Sequence, residues 1–248
     1  MKQIFPLLLV LFVAVGCTKD KLEFTEQVYE QKSTLPCQEN CPTVTVKIPV
    51  AKNGKVVSDS INKRIFGVLR DIIYFGEEPY AATDYKQLLD SFIQSYDDMK
   101  TKFPKETIGW EAKVEGAVVY KSDSIINIKL THYSYTGGAH GYSGERSLIF
   151  NAKTGKIIPN DQLFNDINGF KAFAEKKFRE KYQIPENVSI NATGLMFEED
   201  VFALPGNIFY TDKGLLLYYN VYEVASYADR EKELLLPYNE IEKYLKIK

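Results

Sequence analysis

The sequence predicts an α+β fold, in which a mainly antiparallel sheet packs with about three amphipathic helices and a short C-terminal helix follows. Two observations lead to this class. Segments with helical and with strand periodicity come in blocks and do not alternate one by one, which is typical of α+β proteins. The apolar spacing then changes from helical to strand-like at Trp110, where a run of strands begins.

The first half of the chain is predicted to contain a strand, two helices and a second strand. Residues 43–50 alternate apolar and polar side chains, which indicates a half-buried strand. Apolar residues then recur at helical spacing over about residues 59–74. A second helix is predicted to begin near Asp84, which can cap its first turn while Gln87 lies three residues on. Alternation returns over residues 112–118.

The second half begins with the longest predicted strand, residues 124–135, which leads directly into a glycine-rich segment. One face of this strand carries Ile126, Ile128, Leu130 and His132, so we interpret His132 as a core histidine with satisfied hydrogen bonds. The remaining predicted elements are strands at 146–151, 156–158, 202–204, 208–210, 215–222 and 231–236, a helix over 167–182, and a terminal helix over 238–245.

Residues 1–16 are typical of a lipoprotein signal peptide. The apolar run from Ile4 to Val15 is too short to span a hydrocarbon core of about 30 Å, and small residues precede Cys17. We therefore predict an exported protein, anchored through a lipid on Cys17 and facing the periplasm or the cell surface; a secreted protein cleaved nearby is the alternative. The expected organisation is a signal at 1–16, a tether at 17–39, an N-terminal strand–helix–helix–strand region at 40–120 and a C-terminal domain at 121–248.

The charge distribution argues against one class of partner, and the cysteine content argues against a metal site. The 31 basic and 33 acidic residues are scattered along the chain, which argues against a nucleic-acid partner. Cys37 and Cys41 form an even pair once Cys17 is lipidated, so a local disulfide is predicted. A zinc site is the alternative, but both histidines lie far along the chain and two cysteines do not complete a tetrahedral site. We expect neither a metal nor a cofactor.

The segment at 133–142 is the most distinctive in the chain. Gly137 and Gly138 permit positive φ and close approach to another molecule, and His140 can exchange hydrogen bonds with a ligand. Aromatic platforms suit sugar rings and protein partners, which makes candidates of Tyr135, Tyr142, Tyr222 and Tyr227. A structural interpretation stays open for each: His140 can hold the loop through carbonyl groups, and tyrosine is a common strand residue.

Six short motifs stand out in the second half of the chain. They are YTGGAHG at 135–141, FNAKTGK at 150–156, DQLF at 161–164, FALP at 202–205, FYTDKGL at 209–215 and YYNVYEVASYA at 218–228. Together they resemble the exported domain family shared by the anti-sigma factor RsiV and the peptidoglycan deacetylase PdaC. The resemblance covers about residues 130–240, while residues 43–110 resemble the companion N-terminal domain in outline. It implies a sensory or binding module: RsiV is a lysozyme receptor, and the catalytic work of PdaC belongs to a separate domain that this chain lacks.

These observations predict a lipid-anchored, non-enzymatic protein that binds a cell-envelope ligand, either peptidoglycan, another glycan or a lysozyme-like protein. The loop 135–142 and the segment 218–227 are the expected binding surface. One alternative is an envelope-polymer hydrolase that uses His140 as a base with Glu145 or Glu223 as its partner. The other is a purely structural envelope lipoprotein whose tyrosines only pack.

Overall fold

The computed structural model describes residues 21–37, 41–105 and 108–247. These residues form two sheets and four α-helices, which confirms the α+β class. The predicted lipidation site Cys17 and the signal at 1–16 lie outside the described residues. The elements are β1 Glu23–Lys32, β2 Thr43–Lys52, α1 Lys55–Ile72, α2 Tyr85–Lys102, β3 Glu111–Lys121, β4 Ile125–Tyr135, β5 Tyr142–Asn151, α3 Ile167–Tyr182, β6 Asn207–Thr211, β7 Gly214–Tyr219, β8 Lys232–Pro237 and α4 Tyr238–Ile241.

The larger sheet has the order β1-β2-β3-β4-β5. Its pairs are antiparallel except β2 and β3, which are parallel because α1 and α2 carry the chain back between them. The apolar sides of both helices cover one face of this sheet and, with β2 to β5, enclose a first core. Its centre includes Val46, Ile65, Phe92 and Ile128, none more than 1% exposed.

The two helices begin for different local reasons. The Asp84 side chain accepts a hydrogen bond from the Gln87 backbone N–H at 2.8 Å, as the capping pattern predicted. Helix α1 begins four residues before its predicted start, directly after Gly54, whose φ is 56°. Its first turn exposes Val56 and buries Ser58, so the apolar spacing from which the helix was predicted is missing there.

The predicted tether is wrong over residues 23–32, because these residues form β1 and pair with β2 along all ten residues. As an edge strand, β1 is held chiefly by backbone hydrogen bonds and buries little apolar surface. Val28 is 51% exposed, and only partly buried side chains such as Tyr29 reach the core. The strand therefore lacks the apolar alternation by which strands are recognised in a sequence.

The predicted domain boundary between residues 120 and 121 is also wrong, since it falls in the hairpin of β3 and β4. The two strands pair from Glu111 opposite Tyr135 to Lys121 opposite Ile126. Strand β4 contributes to both cores: Ile126 and Ile128 belong to the first, and Ile125 belongs to the second. A boundary at this point would separate paired strands, so the two cores share the large sheet.

The second core lies against β4 and β5 and is closed by α3, α4 and the smaller sheet β6-β7-β8. The helix over 167–182 is confirmed at both ends. The predicted strand at 202–204 is not a strand; Phe202 is apolar because it packs against Phe178 and Phe197 inside the core. The predicted strand at 156–158 is reduced to a single bridge between Phe150 and Ile157.

Buried asparagines join the two sheets. The Asn127 side chain accepts a hydrogen bond from the Tyr210 N–H at 2.9 Å, and Asn207 accepts one from the Ser147 N–H at 3.0 Å. Asn220 bonds both backbone groups of Glu145, at 2.7 and 3.1 Å. Asn207 and Asn220 satisfy backbone groups at the outer edge of β5, which would otherwise be unpaired, and Asn127 of β4 satisfies a backbone group of β6.

The two ends of the large sheet carry different segments of the chain. The loop end carries residues 135–142 and Trp110, because Tyr135 lies opposite Glu111 and Tyr142 lies opposite Ser134. The basal end carries Lys21, the turn after β2 and the turn after β5, and the Lys121 Nζ donates to the Leu22 carbonyl oxygen there at 2.9 Å. The eleven residues of β4 separate the ends by roughly 35 Å.

All buried apolar residues of both cores lie between Val44 and Leu245. A polypeptide that starts at Lys21 therefore contains both cores and every described strand, and it retains what holds the fold together. Within the described residues, none of the helices combines the length and the apolar character that crossing a membrane requires.

Candidate functional site

The glycine loop between β4 and β5 has free space around the glycines at which the sequence predicts close approach of another molecule. Gly137 and Gly138 have φ of 112° and 92°, and a Cβ built on either would meet nothing within 4 Å. The Tyr135 hydroxyl donates to the Gly138 carbonyl oxygen at 3.1 Å and closes the loop on itself. Gly141 differs, because the ring of Tyr133 occupies the space of its Cβ. The first two glycines leave free space, and Gly141 makes room for packing.

His140 links this loop to a second segment of the chain. Its ring stacks on Tyr227 with centroids 4.1 Å apart and planes 16° apart. Its Nδ1–H donates to the Gly141 carbonyl oxygen at 2.9 Å, so the neutral ring carries an acceptor at Nε2. Tyr222 lies 5.7 Å from Tyr227, and these two tyrosines are 54% and 38% exposed. His140, Tyr222 and Tyr227 form an exposed aromatic surface, called the aromatic triad below.

The turn that carries the triad tyrosines is held by its own backbone bonds. Tyr222 adopts a φ of 67°, and its N–H donates to the Ala225 carbonyl oxygen at 3.1 Å. The Glu223 carboxylate accepts from the N–H groups of Asn220 and Gly206, at 2.9 and 3.0 Å. Both carboxylate oxygens are therefore used to shape the turn, which holds the Tyr222 ring at the surface.

An apolar groove of about 270 Å³ lies on the other side of the glycine loop. Phe103 and Ile108 are half exposed at its rim, and Trp110 is buried next to Phe75 with ring centroids 4.4 Å apart. The sequence did not predict this groove, because its lining comes from two separate segments of the chain. The only hint of a groove in the sequence was that apolar residues such as Phe103 and Ile108 belong to no periodic pattern. The lining residues are Met99, Phe103, Ile108, Trp110, Thr136, Gly137 and Gly138.

Tyr142 lies away from the triad. Its ring is 5.7 Å from His132, which is 5% exposed and has no hydrogen-bond partner for either ring nitrogen among the described residues. The prediction of a buried His132 is confirmed, but the prediction of satisfied hydrogen bonds is wrong. Burial, followed by the positive charge of Arg146, lowers the pKa of His132 from 6.5 to about 4. The ring is therefore neutral at pH 7.

Among the described residues, neither Glu145 nor Glu223 is placed to form the acid–base pair with His140 that the hydrolase alternative names. Glu145 pairs with the Lys129 Nζ at 3.0 Å, and Glu223 is bound to backbone N–H groups. Neither carboxylate hydrogen-bonds His140 in the described part of the chain. Across residues 21–37, 41–105 and 108–247, no group of three or more His, Cys, Asp or Glu side chains could hold a metal ion. Cys37 and Cys41 are joined in a disulfide, with Cα atoms 5.5 Å apart.

Comparisons with known proteins divide the chain into two family regions. Residues 36–143 match the family described as deacetylase PdaC, and residues 157–239 match a family described as a protein of unknown function, DUF3298. These matches confirm the predicted resemblance. No curated protein matches the chain. His140 belongs to the first region and both triad tyrosines to the second, so the candidate surface is built from both.

Two solved structures have the same fold. A DUF3298 family protein from Bacteroides fragilis NCTC 9343 is similar with a TM-score of 0.71 and 20% identity, covering 92% of this chain and 94% of that chain. A DUF3298 family protein from Pseudomonas aeruginosa PAO1 has a TM-score of 0.64 and 17% identity, covering 92% of this chain and 96% of that chain. At these identities the likeness establishes the fold alone.

Proposed function

We propose that this protein, whose chain combines a PdaC region with a DUF3298 region, is a lipid-anchored exported protein that binds a cell-envelope ligand at its loop end without transforming it. The observation that carries the proposal is the stacking of His140 on Tyr227. It joins two distant segments into one exposed aromatic surface, and it needs both family regions. An envelope address fits the name of the PdaC family and the signal-like residues 1–16.

The chemistry of the surface suits recognition. Tyr222 and Tyr227 offer large ring faces with polar tips, a combination that binds sugar rings and protein hot spots. The open glycines let a ligand approach the backbone of the loop closely. Glu145 and Glu223, the two carboxylates considered as catalytic partners of His140, are both engaged in structural bonds. This arrangement favours ligand binding over turnover. The ligand classes are peptidoglycan or another glycan, and a lysozyme-like protein.

The test is calorimetric titration of the Lys21–Lys248 polypeptide with purified peptidoglycan fragments and, separately, with c-type lysozyme. We expect saturable binding to one of them and no release of soluble sugar or acetate. Tyr227→Ala removes the stacking partner of His140 and should weaken binding roughly tenfold to thirtyfold, the usual range for an interface aromatic.

Two control variants separate recognition from folding. Tyr222→Phe keeps the ring and should bind nearly as the wild type does, whereas Tyr222→Ala should not. Val28→Ala alters an equally exposed apolar side chain on β1, away from the loop end, and should leave binding unchanged. Product release by the wild type, or full binding by Tyr227→Ala and Tyr222→Ala together, would overturn the proposal.

A further inference from the structure

The basal end of the large sheet carries an excess of lysine. All the basal lysines named here are exposed, and none forms an ion pair with a carboxylate of the described residues. The carboxylates in the same turns are fewer. The lysines are Lys21, Lys52, Lys55, Lys121, Lys153 and Lys156, and the carboxylates are Glu23, Asp59 and Asp123.

The strand register brings these lysines together from four separate segments. In the strand register, Glu23 of β1 lies opposite Lys52 of β2. Lys121 of β3 lies opposite Ile126, and Ile125 lies opposite Asn151 at the end of β5. The turn after β5 packs on the start of α1, where the Ser60 hydroxyl donates to the Gly155 carbonyl oxygen at 2.8 Å. The turns that end three strands and begin one helix therefore present one basic surface.

Two further features fit a surface that faces lipid. Val56 projects into solvent between these lysines and is 79% exposed, more than any other large apolar side chain of the described residues. The chain also enters the fold here: residues 1–20, with the apolar run Ile4–Val15 and Cys17, directly precede Lys21. Whatever holds residues 1–20 at a membrane holds the basal end close to it.

We infer that the basal lysines form a docking surface for anionic membrane lipid, which orients the domain with its loop end directed away from the bilayer. Lysine ammonium groups near a negatively charged leaflet are attracted to it, and Val56 can enter the interfacial layer. The glycine loop and the aromatic triad then stand roughly 35 Å from the lipid surface, where an envelope ligand can reach them. This inference rests on the proposed anchoring of the protein at a membrane, but it does not depend on the ligand that binds at the loop end.

Its test uses the Lys21–Lys248 polypeptide, which carries no lipid and so reports the surface alone. It is co-sedimented with phosphatidylcholine vesicles at low and at high salt. A second set of vesicles also contains about 30–40% phosphatidylglycerol, which makes their surface strongly negative. We expect binding to the anionic vesicles only, and we expect it to weaken as salt screens the charges. No binding at low salt, or equal binding to both kinds of vesicle, would overturn the inference.

A matched pair of triple variants tests the location. Each lysine near an anionic surface strengthens binding about fivefold, so removing three of them should weaken it about a hundredfold. The basal variant is Lys52→Gln/Lys55→Gln/Lys153→Gln, whose side chains form no bond within the described residues. The control, Lys102→Gln/Lys105→Gln/Lys176→Gln, removes the same charge elsewhere and should lose at most a few-fold. Equal losses would mean that net charge, not this surface, drives binding.

Ligand binding at the loop end and lipid docking at the basal end can be refuted independently. The basal triple variant should bind the loop-end ligand as the wild type does, and Tyr227→Ala should bind anionic vesicles as the wild type does. Tighter binding of a soluble polyanion such as polyphosphate than of the anionic vesicles, at equal charge concentration, would identify a ligand other than lipid and would overturn the membrane assignment.

Discussion

Replacing His132 with leucine gives the sharpest test of how the loop end of the sheet responds to acid. His132 lies between Val114 on β3 and Gly144 on β5, and a Cβ on Gly144 would come within 2.8 Å of its Nε2. The ring is almost completely buried, with Arg146 as the nearby charge that also opposes protonation. His132→Leu keeps an apolar side chain of similar size and removes the group that titrates.

The sign and the size of the effect follow from the pKa of His132. Its value falls from 6.5 when exposed to about 4 in the folded chain, so the unfolded state takes up a proton first as the pH is lowered. The folded state is therefore undisturbed above pH 6.5 and loses stability between pH 6.5 and pH 4. At pH 5 the loss is about 2 kcal/mol, and below pH 4 it approaches about 3 kcal/mol.

The assay is urea unfolding at pH 7.5 and pH 5.0, followed through the fluorescence of the buried Trp110. We expect the stability of His132→Leu relative to the wild type to rise by about 2 kcal/mol between these two pH values. A relative change below about 0.5 kcal/mol, on the scale set by this linkage, would refute the reasoning.

Three further variants probe the junction, a turn and the disulfide. Asn220→Ala leaves both Glu145 backbone groups unpaired and should lower the free energy of unfolding by about 2–4 kcal/mol in urea titrations. Gly155→Ala places a Cβ 2.5 Å from the Val57 carbonyl oxygen at a φ of 67°; it should cost at least about 2 kcal/mol, and an unchanged melting temperature would contradict this. Cys37→Ser/Cys41→Ser opens a short loop and should cost about 2 kcal/mol relative to the oxidised wild type, and the reduced wild type should lose a similar amount.

Local patterns in the sequence predicted the helices and the central strands, because those signals are confined to a few residues. The spacing of Asp84 and Gln87 predicted the start of α2, and the alternation of Ile126 to His132 predicted β4. Strand β1 escaped prediction for the opposite reason. It is held by pairing with β2, and backbone hydrogen bonds leave no mark on side-chain composition.

The candidate surface was predicted only in part. The glycine loop and its tyrosines stand out in the sequence, since adjacent glycines permit backbone conformations and a close approach that other residues do not. The sequence could not predict that His140 stacks on Tyr227 while Tyr142 turns toward His132. Nor could it predict that Phe103 and Ile108 border a groove beside the same loop, because each belongs to no periodic pattern.

The sequence by itself determined the α+β class, the capped start of α2, the amphipathic strands and the family resemblance of the motifs, since each depends on neighbouring residues or on the order of short motifs along the chain. The tertiary structure alone decided which of those blocks meet. Asn220 reaches Glu145, Tyr227 reaches His140, and lysines from four segments gather at the basal end because strand pairing and core packing join residues far apart in the chain. Contacts of that kind depend on the register of the whole sheet, which no short stretch of sequence encodes.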